Sequence, residues 1–330
     1  MNARRHWRNH PLQPTHLSQH FFHDAELVRR LVAALPLRRD DTVLEIGAGR
    51  GVVTQALAAS GCRVIAIEKD PALCDELARR FVARGNVEIR RGDFLSQALP
   101  PCPYRVVSNV PYGITSAVVR RLVHGPSPPE DAWLVLQREA AEKFAGLPRE
   151  TLFSLLTKPR FTLSIVRMFR RSDFSPAPSV DSVLLRIRRR EKPLLAAKSR
   201  RSYERFVRAT FRHGGDLRGA LRPYLTSRQI RRLERDVGFS RGDRPPALRF
   251  EQWLVVFRFV EHECLGHDPT GAGVGSVLEW RQFAEESIRS SQDPRRCRVA
   301  LRERIVAPRA HRRGVSAGGY LRALSPDDRE

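Results

Sequence analysis

The sequence predicts an α/β protein, a mostly parallel sheet with helices on both faces, followed by a smaller helical domain. Three observations point there. Short β-branched apolar runs alternate with helical stretches between residues 42 and 137, the pattern of βαβ units. A glycine-rich loop, "EIGAGRG", follows the first run. Beyond Arg190 the strand signal stops and short Arg-rich helical stretches replace it.

Taken in order, residues 1–16 are expected to form a flexible basic arm. From Asp24 to Leu35, the positions Ala25, Leu27, Val28, Leu31, Val32 and Leu35 recur at helical spacing behind an aspartate suited to the N-cap. "TVLEIG" (42–47) is a buried strand by composition, and a helix follows over Val52–Ser60. "RVIAIE" (63–68) is the second strand, and Pro71–Arg84 a helix opening with proline in its first turn. "NVEIRRGD" (86–93) and "YRVVSN" (104–109) are the third and fourth strands, Thr115–His124 a helix and "AWLVLQ" (132–137) the fifth strand. "SIVRMF" (164–169) and "SVLLRI" (182–187) suit a hairpin at the sheet edge. Tyr203–Phe211, Leu217–Tyr224, Ser227–Val237 and Phe250–Glu263 are expected helices. The expected divisions are the arm 1–16, an α/β domain 17–190, a small helical domain 191–264 and a disordered extension 265–330.

The formal net charge of +23 is the strongest global signal. Such a surface favours a polyanion, most often nucleic acid. Residues 186–244 carry 19 Lys/Arg against 6 Asp/Glu, a net of +13, whereas the last 66 residues net only +3. The basic face therefore belongs to the middle of the chain. Five scattered cysteines without a Cys-x-x-Cys pair argue against a zinc knuckle or a disulfide framework, and imply reduced, buried thiols. The basic start lacks an apolar core for a secretory signal, and no 18-residue apolar run exists. A soluble, cytoplasmic protein with no membrane partner is expected. "HECLGH" (262–267) approaches the zinc motif H-E-x-x-H, but its second histidine stands one residue too far on. No metal is expected.

Gly47, Gly49 and Gly51 let the backbone turn tightly between strand and helix, where a helix N-terminus favours negative charge. The spacing G-x-G-x-G falls short of the full dinucleotide pattern. Glu68 ends the second strand 21 residues after Gly47, suited to ribose hydroxyls. Asp93, closing the third strand, suits the exocyclic amine of an adenine. Together they describe an adenosine pocket that fits NAD and S-adenosylmethionine equally.

The fourth strand end, "SNVPYGI" (108–114), separates the two. Asn-x-Pro-Tyr has no role in hydride transfer but suits methylation of an amine conjugated to a ring. Such a nitrogen is a poor nucleophile because its lone pair is delocalised into the base. The Asn109 side-chain oxygen and a backbone carbonyl near Val110 would accept its two N–H bonds and turn the lone pair towards the methyl carbon. Pro111 stiffens the turn so that these acceptors are held ready. Tyr112 would stack on the base, worth about 1–3 kcal/mol.

With "SQHFF", "EIGAGRG", "IEKD", "GDF", "NVPY" and "FSPAPSVDS" (174–182) in this order, the chain resembles the rRNA adenine N6-methyltransferases, and within them the Erm type. The likeness runs from about Leu17 to Glu263. It implies a Rossmann-like class I S-adenosylmethionine-dependent methyltransferase with a seven-stranded, mostly parallel sheet. It implies that Gln19, His20, Glu45, Gly47, Gly49, Gly51, Glu68, Asp93 and Asn109 hold the cofactor S-adenosyl-L-methionine. The target-base pocket would be Asn109, Pro111 and Tyr112, with Phe174 as a second aromatic wall. The implied substrate is adenine in the peptidyl-transferase loop of 23S rRNA, free or in immature large-subunit particles, modified by a monomer that does not act on DNA. The implied phenotype is macrolide–lincosamide–streptogramin B resistance. His20 departs from the Asn frequent in Erm proteins and matches the KsgA-type 16S rRNA dimethyltransferases, which stay open as an alternative. A non-catalytic nucleic-acid-binding relative is opposed by the intact glycine loop and NVPY.

Overall fold

The computed structural model describes residues 20–265. The basic arm, Gln19 and the extension after Leu265 lie outside the described residues, as does the end of "HECLGH". Apolar runs form the strands β2 (Thr42–Ile46), β3 (Arg63–Glu68), β5 (Arg105–Asn109) and β6 (Asp131–Gln137), while the more polar β4 (Val87–Arg91) forms the sheet edge. They are preceded by β1 (Phe21–Phe22) and followed by β7 (Phe161–Phe169), β8 (Phe174–Ser175) and β9 (Ser182–Arg189). Seven strands make one sheet in the order β4-β3-β2-β5-β6-β9-β7. Pairing is parallel from β4 through β6 and antiparallel on both sides of β9, so β9 alone runs backwards. The expected edge hairpin is therefore β7 with β9, and a register shift falls between Ile165 and Arg167.

Successive strand residues face opposite sides, and both sides are apolar, as a sheet covered on two faces requires. Val43, Val64, Ala66 and Val107 pack with helices α1 (Ala25–Ala33), α2 (Val52–Ser60) and α3 (Pro71–Phe81). Leu44, Ile65, Ile67 and Val106 pack on the other face with α4 (Thr115–His124) and α5 (Arg138–Ala145). The caps follow the side chains: Asp24 accepts from the backbone N–H groups of Glu26 and Leu27, and Asp70 from those of Ala72 and Leu73.

A third core gathers α6 (Leu152–Thr157), α7 (Ala197–Arg212), α8 (Leu217–Leu221), α9 (Ser227–Leu233) and α10 (Phe250–Leu265) around Tyr203, Phe206, Trp253 and Phe257. Helix α7 starts six residues before the expected Tyr203, because "AKSRRS" is helical but carries no apolar period. Helix α9 ends at Leu233 and gives way to a π-turn over Glu234–Gly238, rather than running to Val237. The sequence reading assigned no element to α5, α6, β1 or β8.

Cys62 and Cys74 are buried free thiols, but Cys102 is exposed, a correction to the expectation that all five are buried. The side chains of Cys264 and Cys297 lie outside the described residues.

Candidate active site

Chain order places the site. From β2 the chain proceeds outward through β3 to β4, then returns across β2 to β5, so β2 and β5 are neighbours whose connections leave in opposite directions. Ligands of open α/β sheets bind in the crevice beyond the strand ends at such a switch point. The glycine loop follows β2 and NVPY follows β5, so both motifs open onto that crevice.

Positive φ at Gly47 (+69°) and Gly49 (+55°) requires glycine there, since Cβ of an L-residue crowds the following carbonyl in this region. Close approach requires it too. A Cβ on Gly47 would lie 3.2 Å from the ring carbons of Pro111, and one on Gly49 would run into the Phe21 ring. The glycines thus bring together three segments far apart in sequence: the loop, the NVPY turn and β1. Ser108 adds a hydroxyl bond to the Ile46 carbonyl at 2.6 Å, locking β5 to the root of the loop.

Each predicted site residue has a definite place. Asn109 donates from Nδ2 to the His20 carbonyl at 2.6 Å. That bond fixes which end of the amide points where, and leaves Oδ1 as the acceptor. The Tyr112 hydroxyl lies 2.7 Å from Ser182 Oγ, while its ring meets the His20 ring at 5.1 Å and 38°. Burial pushes the Tyr112 phenol above its ordinary value, against the Ser182 bond, so it stays protonated. His20 Nδ1 donates to the Pro176 carbonyl at 2.8 Å. Phe21 lies against Gly49 with the Arg50 guanidinium over its ring at 5.4 Å. His20, Phe21, Gly47, Asn109, Val110, Pro111 and Tyr112 enclose a cavity of about 20 Å³. That is room for about one water, and the His20 ring lies against Tyr112, so a base stacked on that face would displace it.

The carboxylates stand behind and beside this cavity. Glu68 is 2% exposed and accepts the backbone N–H groups of Gly49 (2.7 Å), Lys69 (2.8 Å) and Asp70 (2.9 Å). A carboxylate offers about four acceptor positions, so about one remains for a hydroxyl donor. Asp93 is half-exposed at the end of the neighbouring strand, bonded to the Leu95 N–H and to Lys69 Nζ at 2.9 Å each. The backbone bond first, and then Lys69, hold its carboxyl below the usual range, so it is an anion available to an amine. Glu45 is 2% exposed beneath the loop and accepts the Thr54 hydroxyl at 2.6 Å. Burial, reinforced by the charge of Glu68, pushes it up to about 8.

Two residues stand elsewhere than expected. Phe174 is 3% exposed and stacks on Phe22 at 4.7 Å, so it backs the β1–β8 pair inside the core and does not line the cavity. Glu45 faces Thr54 of α2 and not the cavity, so it supports the loop from below. Three participants were missed. Phe21 stood in the quoted "SQHFF" but only the pairing of β1 with β8 lays it on Gly49. Ser182 closes the quoted "FSPAPSVDS" but was given no role there, and Thr54 carried no signal of its own.

The model of the family described as "Ribosomal RNA adenine dimethylase" matches residues 13–261. An "rRNA adenine N-6-methyltransferase" of Saccharopolyspora erythraea is 33% identical over 77% of this chain and 66% of its own length. The "Mycinamicin-resistance protein MyrB" of Micromonospora griseorubida is 31% identical over 91% of this chain and 93% of its own. The crystal structure of the 23S rRNA methyltransferase ErmE superposes with a TM-score of 0.68 at 34% identity, over 73% of this chain and 99% of that one.

Proposed function

Because the chain belongs to the ribosomal RNA adenine dimethylase family, we propose that it methylates the N6 amine of an adenine in the peptidyl-transferase loop of 23S rRNA, using S-adenosyl-L-methionine, and thereby confers macrolide–lincosamide–streptogramin B resistance. The observation that carries the reading is the orientation of Asn109. Its Nδ2 is held by the His20 carbonyl, so Oδ1 is presented as an acceptor beside a proline-stiffened turn. A dehydrogenase has no use for that acceptor. The relatives named for 23S rRNA and for mycinamicin resistance support the choice of target over 16S rRNA.

The residues present fit the methyl donor. The left-handed glycine loop is a cradle that any Cβ would fill. Glu68 keeps about one acceptor position for a ribose hydroxyl, and anionic Asp93 suits the adenine amine. When bound, the donor supplies an electrophilic methyl group.

The chain does the rest by positioning. An adenine within A-form RNA cannot reach a crevice of this kind and must come from a loop or be flipped out. Its base would enter over Tyr112, displacing the His20 ring from that face. Ser182 holds the tyrosine ring upright through its hydroxyl. Asn109 Oδ1 and the backbone at Val110 would accept the two N–H bonds and turn the nitrogen lone pair outward. No general base is needed at this amine, since the proton leaves to water after transfer.

Expression in a susceptible bacterium should give erythromycin resistance, with a primer-extension stop in the peptidyl-transferase loop of 23S rRNA. Modification of 16S rRNA with an unmodified 23S loop would overturn the target.

A further inference from the structure

At the end of the sheet away from the glycine loop, the strands collect arginines. β5 opens with Arg105 and β6 with Asp131, while the reversed β9 finishes beside them with Arg188 and Arg189. The register aligns Arg105 with Asp131, Asp131 with Arg188, and Arg189 with Phe161. Arg160 precedes β7, Arg190 follows β9, and Arg200 lies in the first turn of α7. These six arginines line an open cleft of about 490 Å³.

Three carboxylates, Glu130, Asp131 and Glu191, line it as well, which leaves the six arginines in excess. Asp131 is engaged by Arg186, while Asp41 lies 2.9 Å and Glu130 3.6 Å from Arg105. The guanidinium groups of Arg160, Arg189 and Arg200 make no hydrogen bond or ion pair among the described residues, although that of Arg160 lies over the Phe161 ring at 5.4 Å. Burial first, and then Arg200 and Arg189, hold the Arg160 guanidinium below its ordinary value. Burial and the charge of Arg188 bring Arg190 down to about 10. Helix α7 adds to the imbalance, with no acidic residue in its first turn and no side-chain cap. Like charges gathered this way cost stability unless an anion joins them.

We propose that this cleft binds the phosphodiester backbone of the same RNA whose adenine enters the methyl-transfer pocket. Guanidinium forks match phosphate oxygens bidentately. Among the described residues no aromatic ring lines the cleft to stack a base, so the contacts would position the RNA without reading its sequence. The distance sets a condition. Ser182 pairs with Gln137 at the pocket end of β6, and Asp131 opens the other end. Six residues at about 3.3 Å each separate the two ends by about 20 Å. An RNA confined to the reactive loop does not span that distance, and a longer one does. The proposal rests on RNA being the substrate of the pocket.

The test uses the full-length protein and fluorescence anisotropy without the methyl donor, so that binding is measured apart from transfer and from the identity of the methylated site. The double variant Arg189→Ala, Arg200→Ala is compared with the parent and with Arg189→Lys, Arg200→Lys across a salt series, after thermal melting confirms that each is folded. On a long rRNA fragment the alanine pair should lose about 10- to 100-fold in affinity, and its slope of log K against log salt should flatten by about 2. The lysine pair should keep the slope. A short hairpin carrying only the reactive loop should bind parent and variants alike. Equal affinity and slope on the long RNA would overturn the proposal, as would an equal loss on the hairpin. Pyrophosphate binding that the alanine pair abolishes, with RNA binding unchanged, would assign the cleft to a small phosphate ligand instead.

Discussion

Asn109 is held by one bond to a backbone carbonyl 89 residues away in sequence, so its role is testable by atom. Asn109→Ala removes the acceptor proposed to act in the transition state and should lower single-turnover methylation by about 100- to 1,000-fold, the range for losing one preorganised hydrogen-bonding group. Cofactor and RNA affinity should fall far less than the rate, and methylation at the parent's rate would refute the role. Glu45 gives a prediction in pH. Its carboxyl sits at about 8 in the folded chain and at about 4.3 when unfolded. Between those values the folded chain binds more protons than the unfolded one, so this group's contribution makes stability fall as pH rises, levelling off above about 8. Glu45→Gln keeps an acceptor for Thr54 and removes the titration. In urea denaturation its advantage over the parent should grow across that window, by up to about 4 kcal/mol. A constant difference would show that Glu45 titrates normally.

Strand β9 reverses direction, and what fastens it to β6 is partly ionic. Arg186 of β9 reaches Asp131 of β6 through Nε at 3.0 and 3.1 Å and through its terminal nitrogen at 2.5 Å. The guanidinium also lies over the Trp133 ring at 5.2 Å. Asp131 is 2% exposed and its carboxyl is raised by burial, against the pull of Arg186. Removing the arginine would strand a buried acid, so Arg186→Ala should cost about 3–5 kcal/mol in chemical denaturation. Asp131→Asn in that background should recover part of it. A loss below about 1 kcal/mol would mean the pair is incidental to the strand pairing.

The two parts of the molecule meet through α6, whose Leu155 belongs to the helical core. Just before it, Glu150 is 7% exposed and accepts bonds from Ser154 Oγ at 2.6 Å, from Lys158 Nζ and from the Phe250 N–H that opens α10. One buried carboxylate therefore joins α6 to the last helix of the other layer. Glu150→Ala should uncouple them, seen by calorimetry as a helical part melting before the sheet. A single transition at the parent's temperature would show that apolar packing alone joins the two. No helix among the described residues is long and apolar enough to cross a membrane.

Strand and helix order from residue 25 to 137 was legible because each element carries its own period, and α2, α4 and β3 fall on the expected residues. The motifs were legible for a similar reason: a glycine loop, an acidic strand end and NVPY are local requirements of turn geometry and chemistry. Helix α7 began early because its charged first turn has no apolar period to reveal it. Two-residue strands such as β1 and β8 have no period at all, and they exist only as each other's partner. That pairing lays Phe21 on Gly49, puts His20 over Tyr112 and turns the Asn109 amide. It also draws Phe174 into the core, away from the cavity wall it was expected to form. The sequence by itself determined the α/β order, the basic character and the residue types of the pocket, all properties of neighbours along the chain. Tertiary structure alone decided which atoms of those residues face the crevice, because contacts across 89 or 156 residues leave no local period.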